Sequence, residues 1–147
     1  MKKLLIVDDD IATRRLLHAY FKYEYVIMEA SDGLSALEIV QKEKPDVVIL
    51  DGILPKLDGL AVLAIIKSDP ALAHILVVMM TGRGQLSDLE KGVFMGSDAY
   101  FIKPVSPVTL KTWISNNLKA DKEPVSHTAS SAITFVEQPA LSPGPID

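Results

Sequence analysis

Short runs of apolar, largely β-branched residues recur along the chain, at Leu4–Val7, Tyr25–Glu29, Asp46–Leu50, Ile75–Met80 and Ala99–Ile102. Several of them are apolar almost throughout instead of alternating, which predicts strands covered on both faces. Between the runs lie longer stretches of helical periodicity. Ala12–Lys22 brings Leu16, Leu17, Ala19 and Tyr20 to one side and leaves Arg14, Arg15 and Lys22 for water. Ser31-Asp32-Gly33 offers capping chemistry ahead of a helix over Leu34–Lys44, which Pro45 ends. Gly59–Ser68 is apolar up to Lys67 and stops at Asp69-Pro70. Gln85–Met95 has Ser87, Asp88 and Glu90 near its start, where the helix dipole favours negative charge, and closes at Gly96. Ser106-Pro107 pairs an N-cap with a proline at the first helical position and opens a last helix through about Lys119. Five β-α units follow, the pattern of an α/β fold with a parallel sheet wrapped by helices.

From about Asp121 the composition shifts to Pro, Ser, Thr and Ala, as in a linker or tail. The expected organisation is therefore a domain over residues 1–120 and a tail over 121–147. Within the tail, Ile133, Phe135 and Val136 allow a short strand or docking segment at 132–136, or plain disorder. The whole chain has 147 residues, enough for one domain with a core of its own. It has no cysteine, which excludes disulfides, thiolate metal sites and a cysteine nucleophile. Asp8-Asp9-Asp10 cuts off the N-terminal apolar run too early for a signal peptide, and no stretch reaches the roughly 18 apolar residues of a membrane span. A soluble, cytoplasmic protein with no membrane contact is expected. The net charge of −4 argues against direct nucleic-acid binding and favours small-ion or protein partners.

In a right-handed doubly wound sheet the strand C-termini share one edge, and ligands bind in the crevice there. The residues that follow the predicted strands are Asp8-Asp9-Asp10, Asp51, Thr81-Gly82 and Lys103-Pro104. Acidic groups, a hydroxyl and an ammonium thus converge from four strands. Clustered carboxylates raise one another's pKa, and a hard dication such as Mg²⁺ is the natural compensation. Taken alone, the aspartate triplet reads as a solvated turn or helix cap, and Asp51 as a cap or turn residue; their convergence favours a site. A carboxylate can act as a nucleophile toward phosphorus when a cation and hydrogen-bond donors receive the phosphoryl oxygens. Lys103 and Thr81 are candidates for those donors. Pro104 gives the strand a rigid exit that allows a cis peptide, and Gly82 leaves the approach to Thr81 open.

These residues, in this order, resemble the response-regulator receiver family of two-component signalling. The resemblance covers about residues 2–120 and is carried by Leu4-Leu5-Ile6-Val7-Asp8-Asp9-Asp10, Asp46-Val47-Val48-Ile49-Leu50-Asp51 with Pro55 and Asp58-Gly59, Val78-Met79-Met80-Thr81-Gly82 and Tyr100-Phe101-Ile102-Lys103-Pro104. It implies a flavodoxin-like (βα)5 fold with a five-stranded parallel sheet in the order 2-1-3-4-5, for which a receiver of this family is a standing example. It implies Asp51 as phospho-acceptor, and Mg²⁺ held by Asp8, Asp9, Asp51 and the backbone carbonyl of Ile53. Thr81 and Lys103 would contact the phosphoryl group, and Thr81 and Tyr100 would form the switch.

The implied partners are a histidine kinase or phosphotransfer protein upstream and a protein or output domain downstream. The implied responsive surface is that of the fourth helix, fifth strand and fifth helix (α4-β5-α5), which could also support a phosphorylation-dependent homodimer. Such a chain is a regulatory domain, not an enzyme acting on other substrates. Gly82 departs from the family's usual alanine or serine, and Ile53 with Arg83 points to slow loss of the acyl phosphate. One rival is a haloacid-dehalogenase-type phosphohydrolase, but Asp8-Asp9-Asp10-Ile11-Ala12 lacks that family's Asp-x-Asp-x-Thr/Val pattern. Another is a receiver-like interaction module that works without phosphorylation. The intact set of Asp8, Asp9, Asp51, Thr81 and Lys103 argues against it.

Overall fold

The fold comes from a computed structural model, which describes residues 1–82, 96–118 and, as backbone only, 134–136. The predicted helix over 85–95, Arg83 and most of the tail lie outside the described residues. The strands are β1 (Lys3–Val7), β2 (Val26–Ala30), β3 (Val47–Asp51), β4 (Leu76–Thr81), β5 (Ala99–Ile102) and β6 (Thr134–Val136). They form one parallel sheet in the order β2-β1-β3-β4-β5-β6. The expected order 2-1-3-4-5 is present, and the apolar segment of the tail adds a sixth strand outside β5.

Helices α1 (Ile11–Phe21), α2 (Gly33–Glu43), α3 (Gly59–Ser68) and the C-terminal helix Pro107–Leu118 cover the two faces. Alternate strand residues go to opposite sides. Leu5, Val7, Val48, Leu50, Val77 and Met79 meet Ala36 and Val40 of α2 and Leu63 and Ile66 of α3. Leu4, Ile6, Val47, Ile49, Val78 and Met80 meet Leu17 and Phe21 of α1 and Leu110 and Ile114 of the C-terminal helix. This two-sided burial explains why the strand runs do not alternate in polarity.

Side chains set the helix starts. Asp10 accepts from the Thr13 amide at 3.2 Å, and Asp32 accepts from the Ser35 amide at 2.7 Å. At the other end of α2, Lys44 takes a left-handed conformation (φ 46°) just before Pro45. The Ser106 hydroxyl accepts from the Thr109 amide at 3.3 Å, as the Ser106-Pro107 pair predicts. Away from the strand C-termini, Lys67 extends from α3 and its ammonium donates to the carbonyls of Ala73 (3.0 Å) and Ile75 (2.7 Å) and to Asp98 (3.1 Å). Asp98 in turn accepts from the Val77 amide at 2.8 Å, so one ammonium ties α3 to the start of β4 and the approach to β5.

Candidate functional site

The crevice sits at the C-terminal ends of β1 and β3, where the chain order of the sheet reverses. Asp51 and Thr81 are the last residues of β3 and β4, one position earlier than the sequence pattern places them, so the ladder itself fixes their backbones. Carboxylate oxygens of Asp8, Asp9 and Asp51 lie within 4.8 Å of one another. Asp8 is fully buried and Asp51 is 6% exposed, whereas Asp9 faces the opening. The Lys103 ammonium enters from the end of β5 and donates to Asp8 Oδ2 at 3.0 Å and Asp51 Oδ2 at 3.3 Å. Its peptide to Pro104 is cis.

The rest of the expected set gathers nearby. The Ile53 amide donates to Asp51 Oδ1 at 3.3 Å, and the Ile53 side chain is half exposed at the mouth. Thr81 is fully buried, and its carbonyl accepts from the Lys103 amide at 2.7 Å. Tyr100 points inward in β5 and is fully buried, packed in the same cluster as Leu50 and Met79.

The aspartate triplet divides between two tasks. Asp8 and Asp9 face the site, while Asp10 caps α1 and also accepts from the Thr13 hydroxyl at 2.6 Å. That hydroxyl bond is the leading cause of a carboxyl pKa for Asp10 below the usual range. Arg14 corrects an expectation. Helical periodicity assigns it to water, but its side chain is only 16% exposed. Its guanidinium donates to the Asp8 carbonyl at 2.8 Å and to Glu29 Oε1 at 3.1 Å. His18 meets the other Glu29 oxygen at 2.6 Å. An arginine one turn past the acidic triplet, with an acidic residue at the end of the adjoining strand, was the available signal.

Burial and then the nearby Asp8 carboxylate push the Asp51 pKa up to about 6, against the pull of Lys103. Burial also works against the charged form of Lys103, but Asp51 and Asp8 outweigh it and hold the ammonium's pKa above its usual value. The donor set is all oxygen and acutely short of positive charge, which fits a hard dication such as Mg²⁺ at Asp8, Asp9 and Asp51.

A stability measurement follows from this. A carboxyl whose pKa is raised by folding stabilises the native state fully below its unfolded pKa near 4, and that contribution disappears as pH rises through about 6. In metal-free buffer, Asp51→Asn should therefore gain about 1–2 kcal/mol over the parent between pH 4 and pH 7, after allowance for solvent screening. Urea melts at the two pH values measure the difference. Millimolar Mg²⁺ should shrink it by stabilising the parent more than the variant, which keeps only Asp8 and Asp9 of the acidic group; an unchanged difference would mean that Asp51 does not meet the ion.

Comparison with known proteins gives a consistent picture. A family model described as "Response regulator receiver domain" matches residues 4–115. The probable transcriptional regulator ycf27 of Cyanophora paradoxa is 37% identical over 131 residues, which are 88% of this chain and 54% of that protein. The chain spans about half the length of the ycf27 relatives it matches. Sporulation initiation phosphotransferase F of Bacillus subtilis (strain 168) is 39% identical over 104 residues, covering 70% of this chain and 82% of that one. Among solved structures, a CheY-like response regulator receiver domain protein from Methanospirillum hungatei JF-1 superimposes with a TM-score of 0.75 at 27% identity, covering 83% of this chain and 97% of the other.

Proposed function

The chain belongs to the response regulator receiver family, and from that premise we propose that it is a phosphorylation-dependent signalling switch with Asp51 as its phospho-acceptor. Family membership already gives it a regulatory role in two-component signalling and sets aside the haloacid-dehalogenase reading. The observation that carries the finer reading is the Lys103 ammonium held between Asp8 and Asp51, beside the exposed carboxylate of Asp9.

An Asp51 oxygen attacks the phosphorus of a phosphohistidine on a kinase or phosphotransfer protein. The phosphorus–nitrogen bond breaks, and the imidazole leaves with its electron pair. Asp8, Asp9, Asp51 and the Ile53 carbonyl would hold Mg²⁺, whose charge offsets that of the phosphoryl oxygens. Lys103 and the Thr81 hydroxyl bind the remaining oxygens. Movement of Thr81 then alters the packing of Tyr100, which biases the surface around β5 toward a second state.

A protein donor suits the rim of the crevice. A cleft of about 420 Å³ lies beside Lys103, lined by Leu16, Leu17, Met80, Pro104 and Val105. Ile11, Leu16 and Val108 are each more than half exposed. The receiver unit is residues 1–120, followed by the tail 121–147, and the output is a downstream protein, an output domain or a homodimer. None of the described helices is long and apolar enough to cross a membrane.

Acetyl phosphate with Mg²⁺ tests the central assignment by intact mass. The parent should gain one phosphoryl group, and neither Asp51→Ala nor the parent stripped with EDTA should do so. A gain that survives in Asp51→Ala would remove Asp51 from the role.

A further inference from the structure

The loop from Gly52 to Asp58 leads from the end of β3 to α3 and carries the Ile53 carbonyl expected to meet the metal. It is fixed at its base, where the Gly59 amide donates to the Gly52 carbonyl at 3.2 Å. It is fixed again at its tip. The Pro55 carbonyl accepts from the Leu57 amide at 2.7 Å and, across the gap to α2, from the Gly33 amide at 3.2 Å. Leu54 belongs to the buried cluster and Leu57 packs against it, so the loop is also held from below.

The tip is strained. Lys56 takes a left-handed conformation, φ 69°, inside the three-residue turn that the Leu57 amide closes. Turns of this kind are rare and persist only where the surroundings over-determine them. Gly33 provides that constraint, because α2 begins directly against the turn. A Cβ at Gly33 would overlap the Leu57 carbonyl oxygen and stand 2.6 Å from its carbon and 2.8 Å from the Leu57 Cβ. Two of these three atoms are backbone, so relief requires the tip to move. The Lys56 ammonium adds only a loose tie to Asp32, at 3.8 Å on a side chain 64% exposed.

We infer that Gly33 is a positioning residue for the metal site. By seating the strained turn at Pro55–Leu57, it holds the loop in the one shape that presents the Ile53 carbonyl to Mg²⁺ beside Asp51. The inference rests on the reading of Asp8, Asp9, Asp51 and that carbonyl as the ligands of Mg²⁺.

Calorimetric titration of the full chain with Mg²⁺ alone tests it. Gly33→Ala should bind the ion about tenfold more weakly than the parent, as expected of a residue that supports a metal ligand. Mass gain from acetyl phosphate should then need about tenfold more Mg²⁺ to reach half its plateau, with the plateau rate within about twofold of the parent. General damage to the fold would lower the plateau instead. Lys56→Val and Lys56→Gly form a second pair at an exposed position. Both remove the ammonium, but valine resists the left-handed conformation and glycine accepts it. The valine variant should bind Mg²⁺ at least about threefold more weakly than the glycine variant.

An affinity within about twofold of the parent in folded Gly33→Ala overturns the inference, and so do equal affinities in the two Lys56 variants. If Gly33→Ala does not fold, the Lys56 pair decides alone. A parent that binds no Mg²⁺, or binds it no better than Asp51→Asn does, overturns the metal reading and the inference with it. A parent that binds through Asp51 while the variants match it overturns the inference alone.

Discussion

Gly59→Ala should cost the chain about 3 kcal/mol of unfolding free energy, read as a lower urea midpoint at unchanged slope. Gly59 is the first residue of α3, and its amide donates to the Gly52 carbonyl at 3.2 Å. A Cβ there would stand 2.0 Å from the Asp51 carbonyl oxygen and 2.9 Å from the Gly52 Cα. Both neighbours are backbone, so relief requires α3 to move away from the end of β3. That movement would drag on Asp51, and the variant should lose phosphoryl uptake beyond what its unfolded fraction explains. Gly52→Ala is the control. Its Cβ would meet the Met80 carbonyl oxygen at 3.6 Å, an ordinary contact, and should cost less than about 1 kcal/mol. If the two variants prove equally stable, the close approach of α3 to β3 is not the constraint described.

Lys103→Met keeps most of the apolar stem and removes the charge. The rate of mass gain from acetyl phosphate at saturating Mg²⁺ should fall about 100-fold or more, the scale on which a fixed group facing developing negative charge acts. Asp51 should also titrate higher than in the parent, because the ammonium is the chief influence opposing its raised pKa. Asp8, fully buried, loses its cation as well, so the metal-free variant should be less stable by roughly 2 kcal/mol or more at pH 7. A rate within about fivefold of the parent would remove Lys103 from phosphoryl stabilisation, whatever its effect on stability.

The sheet was legible in the sequence because β1, β3 and β4 are buried on both faces, and such strands stand out as unbroken apolar runs. The site was legible for a related reason. In this architecture the chemistry gathers where the runs stop, so Asp8, Asp51, Thr81 and Lys103 could be found by position. Their roles are a separate matter, carried by family resemblance and open to the experiments above.

Three features escaped a local reading. Capping a helix and holding a cation both favour aspartate, so nothing short of spatial placement separates Asp10 from Asp8 and Asp9. Periodicity leaves Arg14 for solvent because it places a residue on a helix face but does not record that its long side chain can fold back to the Asp8 carbonyl. At Thr134–Val136 the sequence allows a strand without requiring one, because three residues of suitable propensity become a strand only when an edge is available, and that edge lies 35 positions earlier in the register.

Lys67 gives the molecule a mechanical character. Its ammonium pins α3, the start of β4 and the approach to β5 together at the end of the sheet remote from the acidic cluster. β4 and β5 are thereby anchored like beams set in a wall, with Thr81 and Lys103 at their far tips. Force applied in the crevice would therefore act on the tips before it reached the base, where the bonds of Lys67 and Asp98 hold α3, the start of β4 and the approach to β5 together.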